Sequence, residues 1–205
     1  MKLISSVFAG VLTALSCATH AQSSATSVNN AAQVQQGGVG NSQGIDLGSV
    51  RGQAKSKVSV QKLVQVQSGN ANSQNMTVGE ASGNGQSNVS ADTLVQTQSG
   101  ASNNQAMNVG NTSGSAKSNV SIGTAVQVQQ GVGNNQQLNV GNATGSGSAN
   151  VSVGRVVQVQ GGVMNNAAVN IGNVSGQGTS NVSVGEVIQT QGGTGQNSNV
   201  RIGNR

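Results

Sequence analysis

Short runs of alternating apolar and polar residues, separated by Gly, Asn and Ser, recur along the chain at a constant interval. The most recognisable run is Val126-Gln127-Val128-Gln129-Gln130-Gly131; close copies begin at Val64, Val95, Val157 and Ile188, each start 31 residues from the next. A second run, Leu138-Asn139-Val140 followed by Gly141, corresponds to Met76-Thr77-Val78, Met107-Asn108-Val109, Val169-Asn170-Ile171 and Val200-Arg201-Ile202. The third, Val151-Ser152-Val153, is matched by Val58-Ser59-Val60, Val89-Ser90-Ala91, Val120-Ser121-Ile122 and Val182-Ser183-Val184. Period-two alternation bounded by Gly, Asn and Ser marks a strand. A fixed repeat of this length marks a stacked architecture, because one unit cannot bury its apolar face alone and several together can. The pattern predicts an all-β fold, a repetitive β-solenoid or β-helix with about one coil per 31-residue repeat and three short strands per coil.

The repeats divide the chain into units 32–63, 64–94, 95–125, 126–156 and 157–187 and a partial unit 188–205. The first unit carries one extra residue near Gln36-Gly37. Residues 22–31 are polar and offer nothing to bury, which predicts a flexible leader. Residues 1–21 read as a signal peptide: Met1-Lys2 is a short positive start, Leu3 to Leu15 is mostly apolar, and Thr19-His20-Ala21 before Gln22 suits a small-residue cleavage site. The apolar run falls short of the roughly 20 residues a membrane span needs, so no stable membrane insertion is expected. Ala14-Leu15-Ser16 before Cys17 is a poor match to a lipid-attachment signal.

The strands can be oriented from the equivalent positions. Asp46, Thr77, Asn108, Asn139, Asn170 and Arg201 share one place in the second strand, and a place that accepts both Asp and Arg faces solvent. Leu138 and Val140 then face inward, as do Val151 and Val153 in the third strand, with Ser152 outside. The first strand has two orientations: Val126 and Val128 inward with the glutamines outside, or Gln127 and Gln129 inward as ladders. Gly48, Gly79, Gly110, Gly141, Gly172 and Gly203 end the second strand in every copy, where a sharp corner would use a residue that tolerates positive φ.

Composition narrows the chemistry. Only 6% of the 205 residues are charged, Pro is absent, and the single Phe, Cys and His (Phe8, Cys17 and His20) all lie in the first twenty residues. Beyond the expected cleavage point no disulfide can form. No nucleophile and base pair is evident among Asp46, Glu80, Asp92 and Glu186, which are scattered over three of the repeat units. The same shortage argues against a metal site, and no cofactor is expected. Calcium-binding nonapeptide repeats need periodic Asp. Gly145-Ser146-Gly147 lacks the Lys of a phosphate loop. Removing Lys2 leaves eight basic and four acidic side chains, with no dense basic run and no stacking aromatic, so no nucleic-acid partner is expected. The Asn-x-Ser sequons, such as Asn88-Val89-Ser90, are by-products of the strand pattern.

Gln67-Ser68-Gly69 with Asn72, Gln98-Ser99-Gly100 with Asn103, Gln129-Gln130-Gly131 with Asn134, and Gln160-Gly161-Gly162 with Asn165 and Ala167 resemble the signature of the curlin repeats of bacterial curli fibres. The last copy, Gln191-Gly192-Gly193, has Gln196 where the others have Asn. The period is longer than curlin's, a third strand is added, and the family's closing Gln is replaced by Val78, Val109, Val140 and Ile171. The resemblance implies an exported subunit that polymerises outside the cell into amyloid-like fibres of a biofilm matrix. It also implies an outer-membrane secretion route, a nucleating subunit as a further partner, and a major or minor role for this chain.

Physical chemistry adds an assembly expectation. Low charge, no Pro and stacked amides favour cross-β growth. Gln65, Gln96, Gln127, Gln158 and Gln189 would form one ladder and Gln67, Gln98, Gln129, Gln160 and Gln191 another, with Asn72, Asn103, Asn134 and Asn165 stacked beside them. The partner is then a second copy of the chain in a head-to-tail homopolymer, and the alternative is a monomeric solenoid adhesin. Lys55, Lys57, Lys62, Arg201 and Arg205 lie in the terminal units with Arg51 and are expected to guard the strand edges. Two basic ends would stack slowly at low salt and faster once screened.

Overall fold

Residues 23–204 are described by a computed structural model; the expected signal peptide and Arg205 lie outside them. The chain is an all-β solenoid of parallel strands. Sheet I contains Ser23–Asn29, Lys55–Gln61, Gln86–Ser87, Lys117–Ser118, Ser148–Ala149 and Thr179–Ser180, with Ala91–Asp92 also paired to Lys55–Gln61. Sheet II contains Ala32–Gln36, Val64–Ser68, Val95–Ala101, Gln127–Val132, Gln158–Gln160 and Gln189–Gln191. Sheet III contains Ser42–Leu47, Ser73–Val78, Asn104–Asn108, Asn135–Leu138, Asn166–Val169 and Asn197–Val200. The chain passes from sheet II to sheet III to sheet I and then rises to the next coil.

In four of the coils a fourth strand adds to the expected three. Val50–Gly52, Ala81–Gly83, Thr112–Gly114 and Ala143–Gly145 form sheet IV between sheets III and I. Only three residues long and ending in glycine, these segments show no alternation and read as loops in the sequence. Their first residues nonetheless face inward: Ala81, Thr112 and Ala143 are buried.

Every column keeps the 31-residue step, as in Gln96↔Gln127 and Met107↔Leu138. The exception is the first coil. Gln36 lies opposite Ser68, yet Ser42 lies opposite Ser73, so one residue is extra between them. Gly37 occupies that bend at φ +59°, with open space around it.

Residues Ser23–Asn29 differ from the expected flexible leader. They pair along their whole length with Lys55–Gln61, and Ser24 donates to the Gly48 carbonyl at 2.8 Å. Low apolar content conceals this strand in the sequence. Ser24, Thr26 and Val28 occupy the places of Ser56, Val58 and Val60, so the segment adds one more layer to sheet I.

The interior has two chemically distinct halves. Between sheets III and I the core is apolar: Met76, Val78, Met107, Val109, Leu138, Val140, Val169 and Ile171 face Val58, Val60, Val120, Ile122, Val151 and Val153. That is the orientation the alternation predicts for the second and third strands. Between sheets II and III the lining is amide.

The glycines that follow sheet III serve two purposes. Gly48 and Gly79 have φ of +70° and +76°, as the corner argument requires. Gly110, Gly141, Gly172 and Gly203 do not take positive φ. They are needed for space, since a Cβ at Gly141 would sit 2.7 Å from Val151 Cγ2. Left-handed backbone also falls on non-glycine residues in the corner between sheets I and II: Asn30, Lys62, Thr93, Thr124, Arg155 and Glu186 all have positive φ.

Candidate functional site: amide columns and the two ends of the solenoid

The glutamines of sheet II point inward, which resolves the orientation of the first strand. Gln65, Gln67, Gln96, Gln98, Gln127, Gln129, Gln158 and Gln160 are fully buried. Val64, Val66, Val126, Val128, Val157 and Val159 form the half-exposed outer face. A buried amide is tolerated only when its donors and acceptors are met, and the next coil meets them. Gln33 Nε2 donates to Gln65 Oε1 at 3.1 Å, Gln65 to Gln96 at 2.8 Å, Gln96 to Gln127 at 2.9 Å and Gln127 to Gln158 at 3.0 Å. The second column runs from Gln67 through Gln98, Gln129 and Gln160 to Gln191 at 2.8–3.1 Å.

A third column goes beyond the two expected ladders. Gln43, Gln74, Gln105 and Gln136 on sheet III face the other two, and each donates to the next at 2.7–2.9 Å. Its signal is present in the sequence as Gln every 31 residues, two places before the apolar pair of the second strand. Ala167 ends the column, and Gln136 Nε2 turns to the Gln158 carbonyl instead, at 3.1 Å.

Asn72, Asn103, Asn134 and Asn165 stack as expected but bond to backbone rather than to one another's amides. Asn134 Nδ2 donates to the Gln130 carbonyl at 2.7 Å and to the Gly162 carbonyl of the next coil at 3.1 Å, while Asn134 Oδ1 accepts the Asn165 amide at 2.9 Å. This explains the Gln-x-Gly-x-x-Asn spacing. The glycine lets two corners touch, since a Cβ at Gly131 would meet the Gly162 carbonyl oxygen at 1.9 Å, and the asparagine pins both corners. Gln196 accepts no such role; its Nε2 reaches only the neighbouring Thr194 carbonyl at 3.5 Å. A second asparagine column, Asn111, Asn142, Asn173 and Asn204, also missed in the sequence, takes the backbone amide of the preceding coil onto each Oδ1 at 2.7–2.9 Å.

The ends of the solenoid are open strands. Among the described residues no helix or loop covers either face. At the last coil Gln189 and Gln191 are 6% and 8% exposed, and Gln158 Nε2, both amide atoms of Gln189 and Gln191 Nε2 have no hydrogen-bond partner. Near the first coil Gln67 Oε1 is likewise unpartnered. Because all three glutamine columns donate in one direction, the two ends have opposite character.

The lysines do not occupy the edge expected of them. Lys55 and Lys57 lie on a strand paired with Ser23–Asn29 on one side and with Gln86–Ser87 and Ala91–Asp92 on the other, because the leader forms the outermost strand. Lys62 sits one coil in, its amide donating to the Asn29 carbonyl at 2.7 Å. Arg201 does lie at an end, directly after the last strand of sheet III. Arg155 and Glu186 form an exposed pair at 3.9 Å of little energetic weight.

No family model, no curated protein and no solved structure matches the chain. Among the described residues no group of three or more His, Cys, Asp or Glu side chains comes together, and no helix is long and apolar enough to cross a membrane.

Proposed function

We propose that this chain is an exported structural subunit that self-assembles, head to tail, into an extracellular amyloid-like fibre of the bacterial surface, a curlin-like component of a biofilm matrix. The observation that carries this reading is the pair of buried glutamine columns, bonded from Gln33 to Gln158 and from Gln67 to Gln191, with unpartnered amides on Gln189 and Gln191 of the last coil. An unpartnered buried amide costs about 1–3 kcal/mol, and another coil in register removes that cost. The outward valine face of sheet II offers a flat surface, free of charge, for side-by-side packing of solenoids. In this reading the chain has no catalytic role, uses no cofactor, and is carried out by an outer-membrane secretion route, with a nucleating subunit as a further partner.

A second reading is a monomeric adhesin. It is favoured by the flat outer face of sheet III, where Asn104, Asn135 and Asn166 hydrogen-bond in an exposed row at 3.2 Å. Purified chain separates the two. Fibres that sediment, bind thioflavin and appear by electron microscopy, on producing cells but not on deletion strains, are the expected result. A chain that stays monomeric and dye-negative at high concentration overturns the fibre reading and leaves the adhesin.

A further inference from the structure

The strand count closes on itself. Among the described residues sheets I, II and III each contain six successive strands along the solenoid axis, but they are not level. Sheet I starts one layer early, with Ser23–Asn29 ahead of Ala32–Gln36, and sheets II and III end one layer late, with Gln189–Gln191 and Asn197–Val200 beyond Thr179–Ser180. The N-terminal end is therefore a step and the C-terminal end is the matching step. A second copy shifted by six layers lays its Ser23–Asn29 on Thr179–Ser180, its Ala32–Gln36 on Gln189–Gln191 and its Ser42–Leu47 on Asn197–Val200, leaving no gap or overlap in any of the three sheets.

The side chains at the two steps fit this placement. Gln33 shares a column with Gln65 through Gln189, so Gln33 of the incoming copy meets Gln189. In the same way Gln35 meets Gln191, whose Nε2 is the unpartnered donor at the end of a column that donates in this direction. The charges agree independently. The outer column of sheet III begins with Asp46, continues through Thr77, Asn108, Asn139 and Asn170, and finishes with Arg201. Within one molecule Asp46 and Arg201 are five layers, roughly 24 Å, apart, well beyond the screening length of about 8 Å. Across the junction they are neighbours about 4.8 Å apart. Neutral residues fill every position between, so the only opposite charges of this column lie where two ends meet.

We infer that the two ends are complementary docking surfaces for a second copy of this chain in this one register, with Asp46 of one copy pairing to Arg201 of the next. The inference rests on the head-to-tail reading above and specifies its geometry. It reverses the expected role of Arg201, which recruits the next subunit rather than repelling it.

Seeded elongation of the full chain tests it with a charge swap, each variant seeded by its own fibres. Asp46→Arg and Arg201→Asp, alone, place like charges at the junction and are expected to slow elongation about 3- to 10-fold at low ionic strength, an effect that fades in high salt. The double variant Asp46→Arg/Arg201→Asp restores the pair in reverse and is expected to recover the original rate. Both positions are solvent-facing, and the one side-chain bond lost, from the Ser49 hydroxyl to the Asp46 carboxylate, is exposed, so monomer stability measured by denaturant should change little. Fibres whose growth is equally fast in all four proteins, or equally slow in the double variant and the singles, overturn the register while leaving the fibre reading intact. Absence of any fibre from the unaltered chain overturns both.

Discussion

The Ser118 hydroxyl, buried on sheet I, donates to the Gly141 carbonyl at the corner after sheet III, 2.6 Å away. The same bond recurs from Ser56 to Gly79, Ser87 to Gly110 and Ser180 to Gly203. One coil lacks it: Ala149 occupies the serine position opposite Gly172. Removing the Ser118 hydroxyl leaves a buried carbonyl without its partner, so Ser118→Ala should cost about 1–2 kcal/mol. Ala149→Ser should gain about 0.5–1.5 kcal/mol by completing the column. Chemical denaturation of both variants measures the pair, and equal signs would contradict the assigned bonds.

Two glycines of the same corner region should respond in opposite ways. Gly131 has φ +109°, and a Cβ there meets a backbone oxygen that has no room to move; Gly131→Ala is expected to cost at least ~3 kcal/mol. At Gly161 a Cβ would have no atom within 4 Å, and the backbone does not take positive φ, so Gly161→Ala should be neutral or stabilising by up to about 1 kcal/mol. Midpoint shifts in urea for the two proteins distinguish a packed corner from a loose glycine loop.

The cost of breaking a glutamine column should not add up over its members. Gln127→Leu leaves Gln96 Nε2 with only a long bond to the Asn75 carbonyl at 3.4 Å and strands the Gln158 Oε1 that Gln127 served, at an expected cost of about 1–3 kcal/mol. Replacing Gln65, Gln96, Gln127 and Gln158 together by Leu removes both halves of each internal bond and should cost less than the single change. Strictly additive losses would show that the amides act independently.

The corner between sheets I and II contains a correctable strain. Thr124 is β-branched, yet it holds φ +92°, a region costly for such side chains. Its amide still donates to the Asp92 carbonyl at 2.7 Å and its carbonyl accepts from Leu94 at 3.1 Å, so the backbone has no reason to change. Thr124→Gly should stabilise by about 0.5–1 kcal/mol, net of the added freedom of the unfolded chain. The same change at Ser121, an exposed position without positive φ, should destabilise by a similar amount. Thermal melts of the two variants provide the comparison.

Much of this molecule is legible in its sequence because its period is strict. The 31-residue step, the inward Leu138 and Val140 and the inward Val151 and Val153 follow from alternation plus repetition, whereas the same pattern leaves the glutamine ladders as one of two orientations of the first strand. What stays hidden has physical causes. The sheet IV strands are too short to alternate. Ser23–Asn29 is held by backbone pairing and a serine bond, neither of which needs apolar residues. The third column, Gln43 to Gln136, sits beside apolar neighbours that carry the stronger signal. The lysines of the first unit look terminal in the sequence because the strand outside them has the composition of a leader.

The amide-lined half of the interior also shapes how stability responds to temperature. Unfolding exposes apolar surface, which raises the heat capacity, and polar surface, which lowers it. With glutamine and asparagine filling space that valine or leucine occupies in most cores, the two contributions offset each other more than usual. The heat-capacity increment per residue then falls below the common ~12–15 cal/mol/K, and the free-energy curve flattens into a broad dome. Such a scaffold holds its fold nearly evenly from cold to warm water.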